Sequence, residues 1–275
     1  MFSVLSYDFM QNALAAGILA GIACGVVGTF VVVRRMVFIS GGVSHATFGG
    51  IGLAYLLGFN PMLGALLFAV AAALSMGVIT RKTKLSEDTG IGVLWATGMA
   101  LGVIFVGLSS GYAPDLFSYL FGNILTVQRG ELLMMLVLDG VIITTVLAFY
   151  KELLAVSFDE EFARVEGIPT TGLQMVLLAL IALTIVTVIR VVGIVLVIAL
   201  LTIPPAIARQ YTNSLSSMMR LAVALSVGLS VCGIALSYLL NLASGATIIL
   251  LSGVVLLTVL LTRRVRAGRA SRNTG

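Results

Sequence analysis

The only histidine of the chain, His45, is its most informative residue. It lies in the run SGGVSHATFGGIG, with Gly41, Gly42, Gly49 and Gly52 at i−4, i−3, i+4 and i+7. On a helix these positions share one side, so the imidazole projects from a glycine face, which suits a protein-packed or hydrated interface better than lipid. A neutral imidazole is a ligand for zinc, manganese or iron. Two readings stand: a metal ligand, or a structural histidine bonded to Ser44, Thr47 or a carbonyl of a neighbouring helix. One imidazole cannot hold a metal, so further ligands must come from elsewhere. Asp139, in LLMMLVLDGVIITTVL, is the second candidate. An acid within an apolar run is costly unless paired or hydrated, which leaves a metal or proton relay, or a polar anchor beside Gly140 in the outer half of its span.

Other donors carry less. Asp8, Asp115 and Glu131 could attract cations or be solvated surface. The eleven methionines read as apolar filling. The phosphate-binding pattern GxxxxGK[ST] is missing, since none of Lys82, Lys84 and Lys151 follows a glycine, and GxSxG and HExxH are missing too. With so few polar catalytic groups, a membrane-embedded hydrolase is a poor fit. Transport without ATP hydrolysis of its own is the better class.

The elements that must position these residues follow from composition. Of 275 residues, 60% are apolar and only 10% charged, with a mean hydropathy of +1.16. Soluble domains carry about 25% charged residues, so a soluble or disordered chain is excluded. Apolar runs of about 20 residues recur, each long enough to cross a ~30 Å hydrocarbon layer at 1.5 Å per residue. They are continuous rather than alternating, hence helices and not barrel strands. The fold class is an all-α polytopic membrane protein with eight to nine transmembrane helices. The spans are expected near 9–33, 37–58, 61–80, 90–110, 132–150, 172–189, 191–208, 221–241 and 245–262. His45 then lies about 12 Å into the second, near the midplane. The nearly unbroken stretch 172–208 is read as a tight hairpin at Arg190–Gly193. Gly17, Gly21 and Gly25 share one face of the first span, and Gly98 with Gly102 one face of the fourth, which predicts close helix packing. Cys24 and Cys232 sit inside apolar runs and read as buried free thiols. No cleavable signal peptide is expected.

Alternating the spans from an outside N-terminus puts fourteen of the 16 Lys and Arg residues inside and leaves only Arg129 and Arg190 outside. Positive residues favour the cytoplasmic side, so the C-terminus is expected there. Three connections stand out. In 111–131, Phe117, Leu120, Phe121, Ile124 and Leu125 recur at helical spacing and predict a short interfacial or re-entrant helix. The segment 151–171 is charged and inside. In 206–219, Pro204 and Pro205 are expected to end or kink the seventh span. A short helix carrying Arg209, Gln210 and Tyr211 then follows, with a turn at Thr212–Ser214. A compact cytoplasmic helix of this kind could receive force from a soluble partner, or be an ordinary connection. Residues 1–262 form the membrane domain. Residues 263–275 form a basic cytoplasmic tail, expected to be disordered and to anchor on anionic lipid.

The segments RRMVFISGGVSHATFGGIGLAYLLG, DLFSYLFGNIL, FDEEFARVEGIP, GIVLVIALLTIPPAIAR and SGATIILLSG occur in this order. Together they resemble the permease subunit of zinc/manganese/iron-type ABC importers, over nearly the whole chain. The resemblance implies a type II ABC importer-like permease fold in the cytoplasmic membrane and a homodimer. It also implies two cytoplasmic ATP-binding subunits, an extracytoplasmic metal-binding protein, and no permanently bound cofactor or nucleic-acid partner. It implies that about 206–218 matches the coupling helix, with Ala206, Ile207, Ala208, Arg209, Gln210, Tyr211, Thr212, Asn213 and Ser214 facing the ATPase. It implies that FDEEFARVEGIP is the family's other cytoplasmic element, and that His45 is a metal ligand in the permeation path. The family usually has an aspartate four residues before this histidine, where this chain has Gly41. The missing carboxylate means manganese selectivity does not carry over. Zinc, iron or a complexed metal stay open, including a metal-chelate or cobalamin-like cargo, and Asp139 is the candidate replacement ligand. A secondary transporter driven by an ion gradient is the reading from another class, but it would bring inverted repeats, and no clear one is visible.

Overall fold

The computed structural model describes residues 7–83, 85–109, 116–194 and 197–272, and every described element is a helix. In chain order these are α1 (Asp8–Val33), α2 (Val37–Leu57), α3 (Pro61–Lys82), α4 (Glu87–Leu108), α5 (Leu116–Phe121), α6 (Arg129–Ala148), α7 (Tyr150–Phe158), α8 (Glu160–Val165), α9 (Thr170–Val192), α10 (Val197–Arg209), α11 (Leu215–Leu240) and α12 (Ser244–Arg272), with a 3₁₀ turn at Ile124–Thr126. Eight of them, α1 to α4, α6, α9, α11 and α12, are long and apolar enough to cross a membrane. Local chemistry sets several starts. The Asn60 side chain accepts from the Met62 amide with Pro61 in the first turn, and Ser86 caps α4 ahead of Glu87 and Asp88. Asp115 lies outside the described residues.

Small residues set the packing. On α1, a Cβ at Gly21 or Gly25 would run into the backbone of Val227 or Val223 on α11, so the three-glycine face is the α1–α11 contact. Gly98 and Gly102 of α4 lie against Ala46 and Phe48 of α2 in the same way. Where lipid removes the hydrophobic drive between helices, such close backbone approach supplies the attraction. Cys24 is buried as expected, but Cys232 is exposed on α11.

Polar contacts define the two ends of the bundle. At one end, Asp8 pairs with Arg129 (3.5 Å), the Asn12 amide donates to the Val127 carbonyl (3.2 Å), and the Ile124 amide donates to the Ser244 hydroxyl (3.4 Å). At the other, Glu160 is shared by Arg34 (3.2 Å), Arg81 (3.6 Å) and Arg164 (3.4 Å), Arg81 also bonds Thr171 and Gln174, and Arg263 donates to Gln210 (2.8 Å). These contacts place α9 and α10 as antiparallel limbs, so the chain alternates between the two ends throughout.

The second limb of that hairpin is short. α10 has 13 residues, about 20 Å of rise against ~30 Å of hydrocarbon. Residues 116–127, expected as a short interfacial or re-entrant helix, form α5 and the 3₁₀ turn and pack on the end of α9 that leads into this limb. The Tyr119 carbonyl accepts from the Ile194 amide (2.9 Å) just after α9 ends. Non-helical backbone at membrane depth is tolerated only where protein satisfies it, and here the two irregular segments satisfy each other. Gly122 and Gly193 both have positive φ, 73° and 80°, and each packs backbone to backbone on the other, where any side chain would collide.

Two expectations are corrected. Of the two outcomes expected at Pro204 and Pro205, an end or a kink, the helix does not end there: α10 runs through both to Arg209, and no separate short helix carrying Arg209, Gln210 and Tyr211 follows. Proline's φ fits a helix. What it removes is a donor, here to the Leu200 and Leu201 carbonyls, and in a membrane bundle close neighbours make that tolerable. Residues 210–214 form a turn, and Ser214 caps α11 by accepting from the Ser217 amide. The last span ends near 264 as expected, but the basic tail, expected to be disordered from 263, continues the same helix to Arg272. The 29 residues of α12 rise about 43 Å, so its final turns project past the bilayer.

Candidate functional site

His45 sits a little short of the middle of α2, the most enclosed span, and is 7% exposed. The glycines around it do what their spacing implied. A Cβ at Gly42 would crowd Ile91, one at Gly49 would crowd the Gly98 carbonyl, and one at Gly52 would crowd Gly102, all on α4. The glycine face is thus the α2–α4 seam, and the imidazole lies in protein rather than lipid. Neither hydroxyl offered as its partner bonds it. Ser44 donates to the Gly41 carbonyl (2.8 Å) and Thr47 to the Val43 carbonyl (2.7 Å), both within α2. Among the described residues the buried Nδ1 of His45 has no hydrogen-bond partner. Its ring is instead stacked on the indole of Trp95 from α4, centroids 4.0 Å apart and planes within 10°.

Gly41 occupies the next turn of the same face. A Cβ there would meet the Ile198 Cδ1 of α10 at 2.8 Å and the Trp95 ring at 4.0 Å. The space that a carboxylate would fill is therefore held by an isoleucine tip. Trp95 covers the imidazole on the α4 side, and Ile198 fills the adjacent space at Gly41 from α10.

Asp139 lies elsewhere. α6 begins at Arg129, three residues before the expected start, which puts Asp139 about 15 Å along the helix, near its midpoint. It is 2% exposed, and among the described residues neither carboxylate oxygen has a hydrogen-bond partner. Its electrostatic neighbour is the buried Cys24 of α1. α6 packs on α1 and α9, whereas α2 packs chiefly on α4 and α3. Among the described residues no three of His, Cys, Asp and Glu converge. One chain thus presents two separate polar centres, an imidazole at the α2–α4 seam and a carboxylate behind α1.

Residues 206–214 sit at the arginine-rich end of the bundle. Ala206 to Arg209 form the last turn of α10, Thr212 donates to the Ala208 carbonyl (2.9 Å), and Tyr211 is 55% exposed. Arg263, near the far end of α12, donates to Gln210 and lies over the Tyr211 ring at 5.5 Å from its centroid. The FDEEFARVEGIP segment forms α8 and its cap, where the Asp159 side chain accepts from the Phe162 amide, and its Glu160 ties together the ends of α1 and α3.

Sequence reasoning missed Trp95 and Ile198. A signal for Trp95 was available: it precedes Gly98 by three residues and so lies on the stripe with Gly98 and Gly102 that faces α2. Ile198 carried none, because its approach to Gly41 depends on how α10 crosses α2.

This geometry can be set beside known proteins. An uncharacterized membrane protein of Synechocystis sp. is 51% identical over 96% of this chain and 94% of its own length. The manganese transport system membrane protein MntC of Listeria monocytogenes is 35% identical over 92% of this chain and 90% of its own. The structure of PsaBC from Streptococcus pneumoniae, solved in complex with Fab, superposes with a TM-score of 0.86 at 35% identity, covering 94% of this chain and 93% of that one. The sequence signature of the ABC 3 transport family matches residues 6–263. With eight apolar spans, a histidine on the glycine seam and this match along nearly its whole length, the chain belongs to the ABC 3 transport family.

Proposed function

We propose that the chain is the membrane-spanning permease of an ATP-driven importer that carries a divalent transition metal across the cytoplasmic membrane. The observation that carries this reading is His45: a lone imidazole at mid-depth, buried, its Nδ1 unpartnered among the described residues, in a chain of this family. A buried polar group in a bilayer needs an offsetting interaction, and a passing metal supplies one. Manganese is the metal in the name of the Listeria relative, with zinc and iron as the other candidates. Two copies related by symmetry would bring two imidazoles toward one axis. Such a site is weak, as passage requires, since a tight one would trap the ion. Asp139, far from that seam, is proposed as a second polar station for the metal. ATP hydrolysis comes from two cytoplasmic subunits docked on 206–214, and cargo from an extracytoplasmic binding protein. The arginine-rich end faces the cytoplasm.

A second reading is favoured by Gly41, where an isoleucine tip stands in place of a carboxylate: the cargo is a metal chelate rather than a free ion. Uptake by the reconstituted complex separates the two. His45→Ala is expected to lower uptake of free manganese at least tenfold while the complex still assembles and hydrolyses ATP. A well-assembled His45→Ala complex with unchanged uptake removes His45 from the path and favours the chelate.

A further inference from the structure

A metal-binding histidine normally has its second ring nitrogen held by a carboxylate, a carbonyl or water, which fixes both tautomer and ring plane. Among the described residues His45 shows no such hold: its buried Nδ1 bonds none of them, and the nearby hydroxyls of Ser44 and Thr47 bond their own helix. Glycines at 41, 42, 49 and 52 thin out the side chains on its own helix face, where Phe48 at i+3 is the large one that remains. What fixes the plane is Trp95. Its indole lies parallel to the imidazole within 10° at 4.0 Å, and α4 is held against α2 beside it by Gly98 and Gly102.

We propose that Trp95 is the positioning residue for His45, orienting the ligand ring by stacking where other metal sites use a hydrogen bond. This rests on the reading of His45 as a metal ligand. The stack leaves the ring edge, where both nitrogens lie, free of the indole, so it orients the imidazole without occupying its lone pair. It also leaves the ring able to slide in its own plane, which a hydrogen bond to Nδ1 would forbid. A ligand that hands its ion onward benefits from that freedom. Aromatic stacking contributes enough to change an affinity by a few-fold to about tenfold.

The chain carries its own probe, because Trp95 is its only tryptophan. Full-length protein in lipid nanodiscs is titrated with manganese(II) or cobalt(II), paramagnetic ions that quench an adjacent indole. Saturable quenching of Trp95 is expected in the wild-type chain and its loss in His45→Ala. Cobalt(II) absorption then reads the affinity of variants that lack the indole. Trp95→Leu, which keeps apolar bulk but not the stack, is expected to weaken cobalt(II) about tenfold, and Trp95→Phe to restore most of it. If Trp95→Leu binds cobalt(II) as tightly as wild type while binding still depends on His45, Trp95 does not position the ring and His45 keeps its role. Trp95→Phe binding as weakly as Trp95→Leu overturns the stacking role as well. If binding and quenching are the same in His45→Ala as in wild type, both readings fall together.

Discussion

The Leu201 carbonyl of α10, whose helical donor Pro205 removes, lies directly against Gly28 of α1. The proline and the glycine act as a pair. One frees a carbonyl inside the membrane, and the other lets a neighbouring backbone come close enough to cover it. The Pro205 ring itself sits on Gly28, at 2.9 Å from where a Cβ would be. Gly28→Val is expected to lower thermal stability in detergent by the equivalent of about 1–3 kcal/mol and to reduce folded yield. Pro205→Ala returns a donor to the same carbonyl and is expected to be milder. Equal stability of Gly28→Val and wild type would show that the helices can part at this crossing without loss.

Gly41→Asp restores the carboxylate that the family pattern carries, but the site is already occupied by Ile198. The single substitution is therefore expected to tighten manganese binding only modestly, because the isoleucine tip must move aside. Gly41→Asp combined with Ile198→Ala opens the space and is expected to shift preference further toward manganese over zinc, since a carboxylate oxygen is the harder ligand. Competition between the two ions in the purified complex measures it. No change in preference in the double variant would place the selecting ligands elsewhere.

Arg263 holds the turn after α10 from two directions, through Gln210 and over Tyr211. Arg263→Ala is expected to leave ATP hydrolysis by the complex running while metal moved per ATP falls several-fold. Replacing 207–214 by a flexible linker should abolish transport. The ratio of uptake to hydrolysis is the informative measurement, since a simple folding defect lowers both together.

Sidedness can be tested at Leu242 and Arg264, which are exposed near opposite ends of α12, after Cys232 has been replaced. A cysteine at Leu242 is expected to react with membrane-impermeant reagent in intact cells and one at Arg264 only after permeabilisation. Ser244 is a poor position for such a probe, since it is buried and accepts from the Ile124 amide. Labelling at Arg264 in intact cells would reverse the orientation.

Much of this architecture was legible because membrane helices write themselves in long apolar runs and in small residues four apart. The α1 and α4 glycine faces, the short helix after 116 and the protein-packed surroundings of His45 all follow from spacing. Proline misled at 204–205, because its local rule assumes an isolated helix and the covering contact at Gly28 lies on another span. The reach of α12 was underestimated because a basic run marks where a helix leaves lipid, not where it stops being helical. Trp95 and Ile198 were hidden because stacking and end-on contact arise where helices cross, and one sequence carries little trace of crossing angles. Asp139 was legible as an anomaly, but its distance from the His45 seam was not.

The junction of Gly122, Gly193 and Gly245 also dictates an order of construction. Gly122 and Gly193 meet backbone to backbone, and a Cβ at Gly245 would stand 2.6 Å from the Phe121 carbonyl and 3.0 Å from that of Val192. The three parts come from segments made at widely separated moments of translation, the third at the start of the last span. Until α12 inserts, the segment 116–127 has no Ser244 to hold the Ile124 amide and no third backbone to close against. This end of the bundle therefore closes only once α12 is in place, as the last of its contacts to form.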